Sequence, residues 1–198
     1  MQTEATANEK RLTLIYALTL GAIAVTYKVL PRYLVDPTES ALWNLVPMGA
    51  LALFVGSRLR TTQAYLIPLV AMVASDLLLI QPLAAQGFPS FTASTPLIYL
   101  SFLLYVVLGR WIPARSMAPV ALAGGALAGS VQFFLLSNFA SFLAFYPFTW
   151  AGLAECYTLA IPYYRSTLAS DLLFTGLFFA LHALLVYGVA SKEAQVPA

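Results

Sequence analysis

Long and nearly uninterrupted apolar stretches limit how this chain can fold more than any other feature. They occur at residues 12–30, 43–57, 64–80, 96–111, 117–137 and 166–190. An α-helix needs about 20 apolar residues to cross the hydrocarbon core of a bilayer. Strands of membrane β-barrels instead alternate apolar and polar residues over about ten positions. The continuous runs therefore predict an all-α integral membrane protein with six transmembrane helices in a compact bundle.

Composition leaves little room for a water-soluble domain. Hydrophobic residues make up 61% of the 198 positions and charged residues 9%, and the mean hydropathy is +0.82. A soluble protein carries about 25% charged residues. We expect a short N-terminal tail at residues 1–11, a transmembrane domain at 12–190 and a C-terminal tail at 191–198. Glu4 and Glu9 dilute the positive flank of the first stretch, so we interpret it as a retained helix and not as a signal peptide.

The lysine and arginine residues predict the orientation of the chain. With six spans, both termini and the second–third and fourth–fifth connections lie on one side of the membrane. That side has seven basic residues and the other has three: Lys10, Arg11, Arg58, Arg60, Arg110, Arg115 and Lys192 against Lys28, Arg32 and Arg165. Basic residues are enriched in cytoplasmic loops. Both termini are therefore predicted to be cytoplasmic, in an inner (plasma) membrane.

Two segments depart from a simple pattern of six spans and short loops. The second stretch, of about 15 residues, is too short for a helix that crosses about 30 Å of hydrocarbon. Residues 31–42 before it are predicted to dip inward at the outer face. Residues 139–165, between the fifth and sixth stretches, are rich in aromatic side chains and are predicted to lie on or in the membrane. Both segments are candidates for a cap over a binding site.

Polar residues within the apolar stretches are candidates for function. An ionisable side chain at the centre of a membrane helix costs about 2.5–3.5 kcal/mol. We predict that such groups converge near the outer face, beside Lys28 and Arg32, and that aromatic residues form the walls. The predicted site comprises Asn44, Asp76, Tyr99, Asn138, Tyr146, Trp150, Glu155 and Asp171, with Trp43 as a further wall. The alternative is that Asp76 and Asp171 form ion pairs that only tie helices together.

A faint internal repeat includes both aspartates. The sequence ASDLL occurs at residues 74–78 and again at 169–173, and Ile-Pro precedes it in both places. Five matching residues in an apolar chain can arise by chance. An ancient duplication of three helices would instead make the two halves inverted, as in many transporters.

The sixth stretch has a polar stripe that ends at the sole histidine. Thr167, Asp171, Thr175 and His182 share one face of a helix. The stripe is typical either of a face buried against neighbouring helices or of a path for protons. For His182 we favour a hydrogen-bonded packing role over proton transfer.

Small residues predict two places of close helix packing. Gly125 and Gly129 are four residues apart in the fifth stretch, and we expect them to pack within the bundle. Ala17, Gly21 and Ala24 form a smooth strip on the first stretch. Such strips let helix backbones approach closely in lipid, and this one is predicted to dock another subunit.

The sequence offers little for catalysis, metals or nucleic acids. It has one histidine, one cysteine (Cys156) and a net charge of +2. It lacks the Walker A, G-x-G-x-x-G, H-E-x-x-H and G-x-S-x-G motifs. We therefore predict no enzymatic activity, no metal, no cofactor and no nucleic-acid partner.

The segment at residues 43–54, WNLVPMGALALF, resembles a signature of an uncharacterised bacterial six-span membrane-protein family. That family is in turn similar to the substrate-binding (S) components of energy-coupling factor (ECF) transporters. The resemblance implies a six-helix bundle that binds a small nutrient near the outer face, beneath the first loop, and an external ATPase module that drives uptake. Further matches are Pro68, Ser75-Asp76, Tyr99-Leu100, Gly109-Arg110, Asn138, Tyr146-Pro147, residues 151–153, Tyr157, residues 160–162 and Asp171.

The leading hypothesis is a membrane component of a transporter that binds a small, vitamin-like molecule and has no ATPase activity of its own. Its partners would be membrane lipid and a coupling and ATPase module. One rival is a structural or accessory subunit of a larger membrane complex. The other is an ion-coupled carrier that uses Asp171 and His182.

Overall fold

The computed structural model describes residues 2–34, 45–113 and 117–193. Within these ranges the chain is helical, with turns between the helices and no strand. The helices are α1 (Gln2–Val29), α2 (Pro31–Leu34), α3 (Met48–Arg58), α4 (Gln63–Leu78), α5 (Ile80–Ala85), α6 (Thr95–Trp111), α7 (Pro119–Phe145) and α8 (Trp150–Glu193).

Three segments are long and apolar enough to cross a membrane, namely Ala7–Leu34, Pro119–Phe145 and Trp150–Val186. Three shorter apolar helices, α3, α4 and α6, pack among them. Many large apolar side chains on the outside of the bundle are exposed, including Val70 at 62% and Leu184 at 67%. Lipid can cover such a surface, whereas a soluble protein rarely exposes one. The prediction of an all-α membrane protein is confirmed at this level.

The short helix α3 is the centre of the bundle. Each residue from Met48 to Ser57 is buried, and α1, α4, α6, α7 and α8 all contact this helix. Its 11 residues rise only about 16 Å, about half of the thickness of the hydrocarbon core. The N-terminal end, at Met48 and Gly49, reaches the wall of a cavity.

Two glycines bring α3 and α6 into backbone contact. A Cβ atom on Gly56 would overlap the carbonyl oxygen of Val106, and one on Gly109 would overlap the carbonyl oxygen of Leu53. Close approach of this kind is how small residues hold helices together in lipid, where burial of apolar area adds little.

The predicted packing of Gly125 and Gly129 inside the bundle is confirmed. A Cβ atom on Gly125 would lie 2.7 Å from Ile112 Cδ1, and one on Gly129 would overlap the ring of Tyr105. The two glycines therefore let α7 pack closely against Tyr105 of α6 and against Ile112, which directly follows α6.

Residues 139–165, which were predicted as a candidate cap, belong to two helices over most of their length. Helix α7 continues to Phe145 and α8 begins at Trp150, so only residues 146–149 separate them. The two helices run side by side and are joined by hydrogen bonds from Cys156 Sγ to Asn138 O (3.3 Å) and from Tyr157 Oη to Leu135 O (2.7 Å). Pro162 lies inside α8. Proline is tolerated within membrane helices because neighbouring groups can satisfy the freed backbone positions.

The prediction that the small-residue strip on α1 is a free surface for docking is wrong. Ala17 and Ala24 are fully buried in the core of the bundle. Gly21 is also buried, and a Cβ atom there would lie 3.6 Å from Ile67 of α4. The small residues let α1 approach its own neighbours, and the same spacing would serve an external partner. The sequence pattern could not distinguish these two cases.

Candidate functional site

A cavity of about 390 Å³ lies where α1, α2 and α4 end and where α3 and α6 begin. We call it the main cavity. Side chains from α7 and α8 complete its wall. Its lining consists of Lys28, Arg32, Val46, Met48, Gly49, Met72, Asp76, Leu79, Ser90, Thr92, Thr95, Ile98, Tyr99, Phe102, Tyr105, Phe133, Thr167 and Asp171.

One side of the main cavity has an ion pair and a hydrogen bond that together join three helices. Lys28 Nζ on α1 lies 2.6 Å from Asp76 Oδ1 on α4. The hydroxyl of Tyr99 on α6 donates to Asp76 Oδ2 at 2.7 Å. Both carboxylate oxygens therefore have a donor within the protein, and the charges of Lys28 and Asp76 offset each other. Ser90 donates a short hydrogen bond to the backbone carbonyl of Asp76, which connects the chain ahead of α6 to the same point.

The other carboxylate of the main cavity, Asp171 on α8, is 2% exposed. The hydroxyl of Tyr105, on α6, donates to its Oδ2 at 2.5 Å. The other oxygen, Oδ1, lies against Gly49 in the first turn of α3, where a Cβ atom would overlap it. The preceding residue, Ser170, donates to the carbonyl of Val46 at 3.2 Å, which fixes α8 against the start of α3.

Two glycines make room for the Tyr105 ring. A Cβ atom on Gly49 would lie 2.9 Å from Cε1 and Cζ of Tyr105, and one on Gly129 would overlap the same edge of the ring at Cε1 and Cδ1. Tyr105 is 1% exposed. Because α3 and α7 each present a glycine here, the tyrosine hydroxyl is held in the position from which it reaches Asp171.

The remaining wall of the main cavity is apolar and aromatic. The rings of Phe102 and Tyr105 are stacked, with centroids 5.9 Å apart, and Phe133 contacts Phe102 at 5.2 Å. Met48 and Met72 add thioether groups, which adapt easily to the shape of a ligand. This combination of apolar walls and a few placed polar groups is typical of small-molecule sites.

Of the predicted site residues, the structure brings together Asp76, Tyr99 and Asp171. Asn138 lines a separate pocket of about 200 Å³ between α7 and α8, which shares Phe133 and Thr167 with the main cavity. The side-chain amide of Asn138 donates to the carbonyl of Phe134 in its own helix at 2.7 Å. Asn44 and Trp43 lie outside the described residues.

The other three predicted residues lie away from the main cavity, near the connection between α7 and α8. Trp150 is 87% exposed and Glu155 is also exposed. Tyr146 is half-buried at the end of α7. These residues were grouped with the site on the expectation that residues 139–165 fold over it. A helical hairpin holds them at its tip instead.

Several cavity residues were not part of the predicted site, chiefly Tyr105, Gly49 and Phe102. One usable signal was present, because Tyr99, Phe102 and Tyr105 recur every three residues along α6. Side chains at such spacing lie near one another on a helix. Nothing in the sequence near Gly49 indicated that it faces Asp171, which is far away along the chain.

His182 lies on α8 beyond the main cavity, toward the start of α1. Its Nε2 is 2.9 Å from the hydroxyl of Thr13, and its ring contacts Tyr16 and Phe54. Thr175, between Asp171 and His182, is buried, and among the described residues its hydroxyl has no hydrogen-bond partner. His182 thus has the hydrogen-bonded packing role that we favoured.

Residues 7–194 match a protein family described as a family of unknown function, DUF6580. The chain belongs to this family. No curated protein and no solved structure matches the chain. The matched range includes all the residues that line the main cavity, but the description of the family assigns these residues no role.

Proposed function

We propose that this member of DUF6580 binds a small organic molecule in the main cavity and delivers it to a transport partner. It would act as the substrate-binding component of a transporter and would have no ATPase activity of its own. The sequence resembles an uncharacterised family that is in turn similar to ECF S components, and this resemblance supports the proposal.

The single observation that carries the proposal is the make-up of the main cavity. Its volume of about 390 Å³ falls within the usual range of small-molecule sites, about 300–1,000 Å³. Ionisable groups in a membrane protein are costly and mark functional sites by default. Here two carboxylates and two cationic side chains line one cavity with aromatic walls. A second cavity of about 400 Å³, between α6 and α7, has no ionisable side chain among the described residues that line it, so the charged groups and not the volume alone favour the main cavity.

We further propose that α3, α4 and α6 cross the membrane with the three longer segments, which makes six spans. Helix α3 is too short to cross alone, but it is buried on all sides. Its ends therefore meet protein instead of lipid. The basic residues favour the arrangement with both termini in the cytoplasm and the main cavity toward the outer face.

Cysteine labelling tests this orientation. In a Cys156→Ser background, Phe88→Cys between α5 and α6 should react with a membrane-impermeant maleimide in intact cells. Thr61→Cys, between α3 and α4, should react only after the membrane is disrupted. Both positions are exposed. The reverse pattern would contradict the orientation and the outward-facing site.

A variant that fills the main cavity tests the binding function. Ile98 lines the main cavity, and Leu100, on the same helix, is 46% exposed and lines the separate cavity between α6 and α7. The purified protein is incubated with the small-molecule fraction of a cell extract, desalted and examined by native mass spectrometry. The unmodified protein and Leu100→Trp should retain an added mass. Ile98→Trp should lose it, because the indole occupies the space.

Equal added masses in Ile98→Trp and Leu100→Trp, or none in the unmodified protein, would contradict binding in the main cavity.

Purification of a tagged chain from membranes tests the transport role. Recovery of an ATPase pair and a long membrane subunit would support that role. Recovery of a respiratory complex would instead support the rival function of an accessory subunit, for which the Lys28–Asp76 pair would be a helix tie.

A further inference from the structure

The two carboxylates of the main cavity differ in how far the protein satisfies them. Asp76 receives Lys28 on one oxygen and Tyr99 on the other, at 2.6 and 2.7 Å. An ionised carboxylate can accept about four hydrogen bonds. Two of these positions on Asp76 are used, and the ammonium group of Lys28 neutralises its charge. Asp76 therefore does not require a charged ligand.

Asp171 is more deeply buried and has fewer donors. Within the part of the chain that the structure describes, Tyr105 provides its one side-chain hydrogen bond, to Oδ2. Its other oxygen faces the first turn of α3 at Gly49, which has no side chain to donate. The N-terminus of α3 favours a negative charge on Asp171, and a carboxylate can accept more hydrogen bonds than the one that the Tyr105 side chain donates.

The surfaces near Asp171 favour a flat and cationic group. Phe102 and Tyr105 are stacked with ring planes 19° apart, and the ring of Phe133 contacts both, with its centroid 5.2 Å from Phe102 and 6.4 Å from Tyr105. Aromatic faces attract organic cations as well as other rings. Hydrogen bonds between a cation and a carboxylate are about twice as strong as those between neutral groups.

We propose that the main cavity binds an aromatic organic cation, such as an amidine or a protonated amino-substituted ring. Its N–H groups donate to Asp171, and its ring packs against Phe102 and Phe133. The Lys28–Asp76 pair then serves as a neutral part of the wall, and Arg32, the other cation of the lining, lies on the Lys28 side of the cavity. This inference rests on the proposed function, since it names the ligand class of the same site.

Three planar compounds of nearly equal size test the inference: benzamidine (cationic), benzamide (neutral) and benzoate (anionic). Binding to the detergent-purified protein is measured by calorimetry. Benzamidine should bind at least about tenfold more tightly than benzamide, and benzoate should bind most weakly. Asp171→Asn has the same shape and can still accept from Tyr105. It should reduce benzamidine binding to the level of benzamide while benzamide binding is unchanged.

Glu9→Gln is the matched control, because it removes a carboxylate toward the opposite end of α1 and should leave the order of the three compounds unchanged. Tightest binding of benzoate, no binding of benzamidine, or an unchanged preference in Asp171→Asn would overturn the inference. The small-molecule proposal would survive these results if Ile98→Trp still removed the mass retained from the extract. If Asp171→Asn does not fold, the order of the compounds on the unmodified protein decides the question.

Discussion

Gly109→Ala should strongly destabilise the bundle, whereas Gly124→Ala should not. The added methyl on Gly109 would overlap the carbonyl oxygen of Leu53, and backbone cannot rotate away as a side chain can. Overfilling a packed core costs about 1–3 kcal/mol, and we expect the upper end here. Gly124 has nothing within 4 Å of its Cβ position. Alanine there should stabilise the helix by up to about 1 kcal/mol.

Thermal unfolding in detergent measures both changes. Gly56→Ala provides a second test of the same contact, because its methyl would overlap the carbonyl oxygen of Val106. Equal melting temperatures for the Gly109 and Gly124 variants would mean that α3 and α6 do not approach as closely as the structure describes. The main cavity depends on this contact, since α3 and α6 supply Gly49 and Tyr105.

Asp76→Asn should destabilise the protein by leaving the ammonium group of Lys28 without its partner. Loss of one member of a buried ion pair costs about 3–5 kcal/mol. The side chains of Lys28 and Asp76 retain 20% and 12% exposure, so we expect a loss near the lower end of that range. The double variant Lys28→Met, Asp76→Asn should recover much of the stability, because no charge is then left unpaired.

Melting temperatures of the unmodified protein, Asp76→Asn, Lys28→Met and the double variant form a thermodynamic cycle that isolates the pair. A double variant as unstable as Asp76→Asn alone would show that the loss has another origin, such as the hydrogen bond from Tyr99. Ligand retention by a stable double variant separates the two roles of the pair. Retained binding would mean that the pair ties helices together, and lost binding would mean that it also contacts the ligand.

The sequence by itself determined that this chain is a helical membrane protein. A chain with apolar runs of this length and so few charges cannot cover its surface with groups that face water. A backbone in lipid must satisfy its hydrogen bonds internally, which favours helices. The same cost of intramembrane charge singled out Asp76 and Asp171, which the structure brings to one cavity. These inferences were sound because they depend only on composition and on position within an apolar run.

Only the tertiary structure decided which face of each helix meets which neighbour. Ala17 and Gly125 have similar small-residue spacing, yet one was assigned to a partner and the other to the bundle, and both are packed inside. The aromatic residues after α7 looked like a cap and instead extend a hairpin.

The contact between Tyr105 and Asp171 needs Gly49 and Gly129 from two further helices. In an apolar chain every helix face is compatible with lipid, so periodicity does not separate a buried face from an exposed one. Shape complementarity among several helices makes that choice, and it exists only once the helices are assembled.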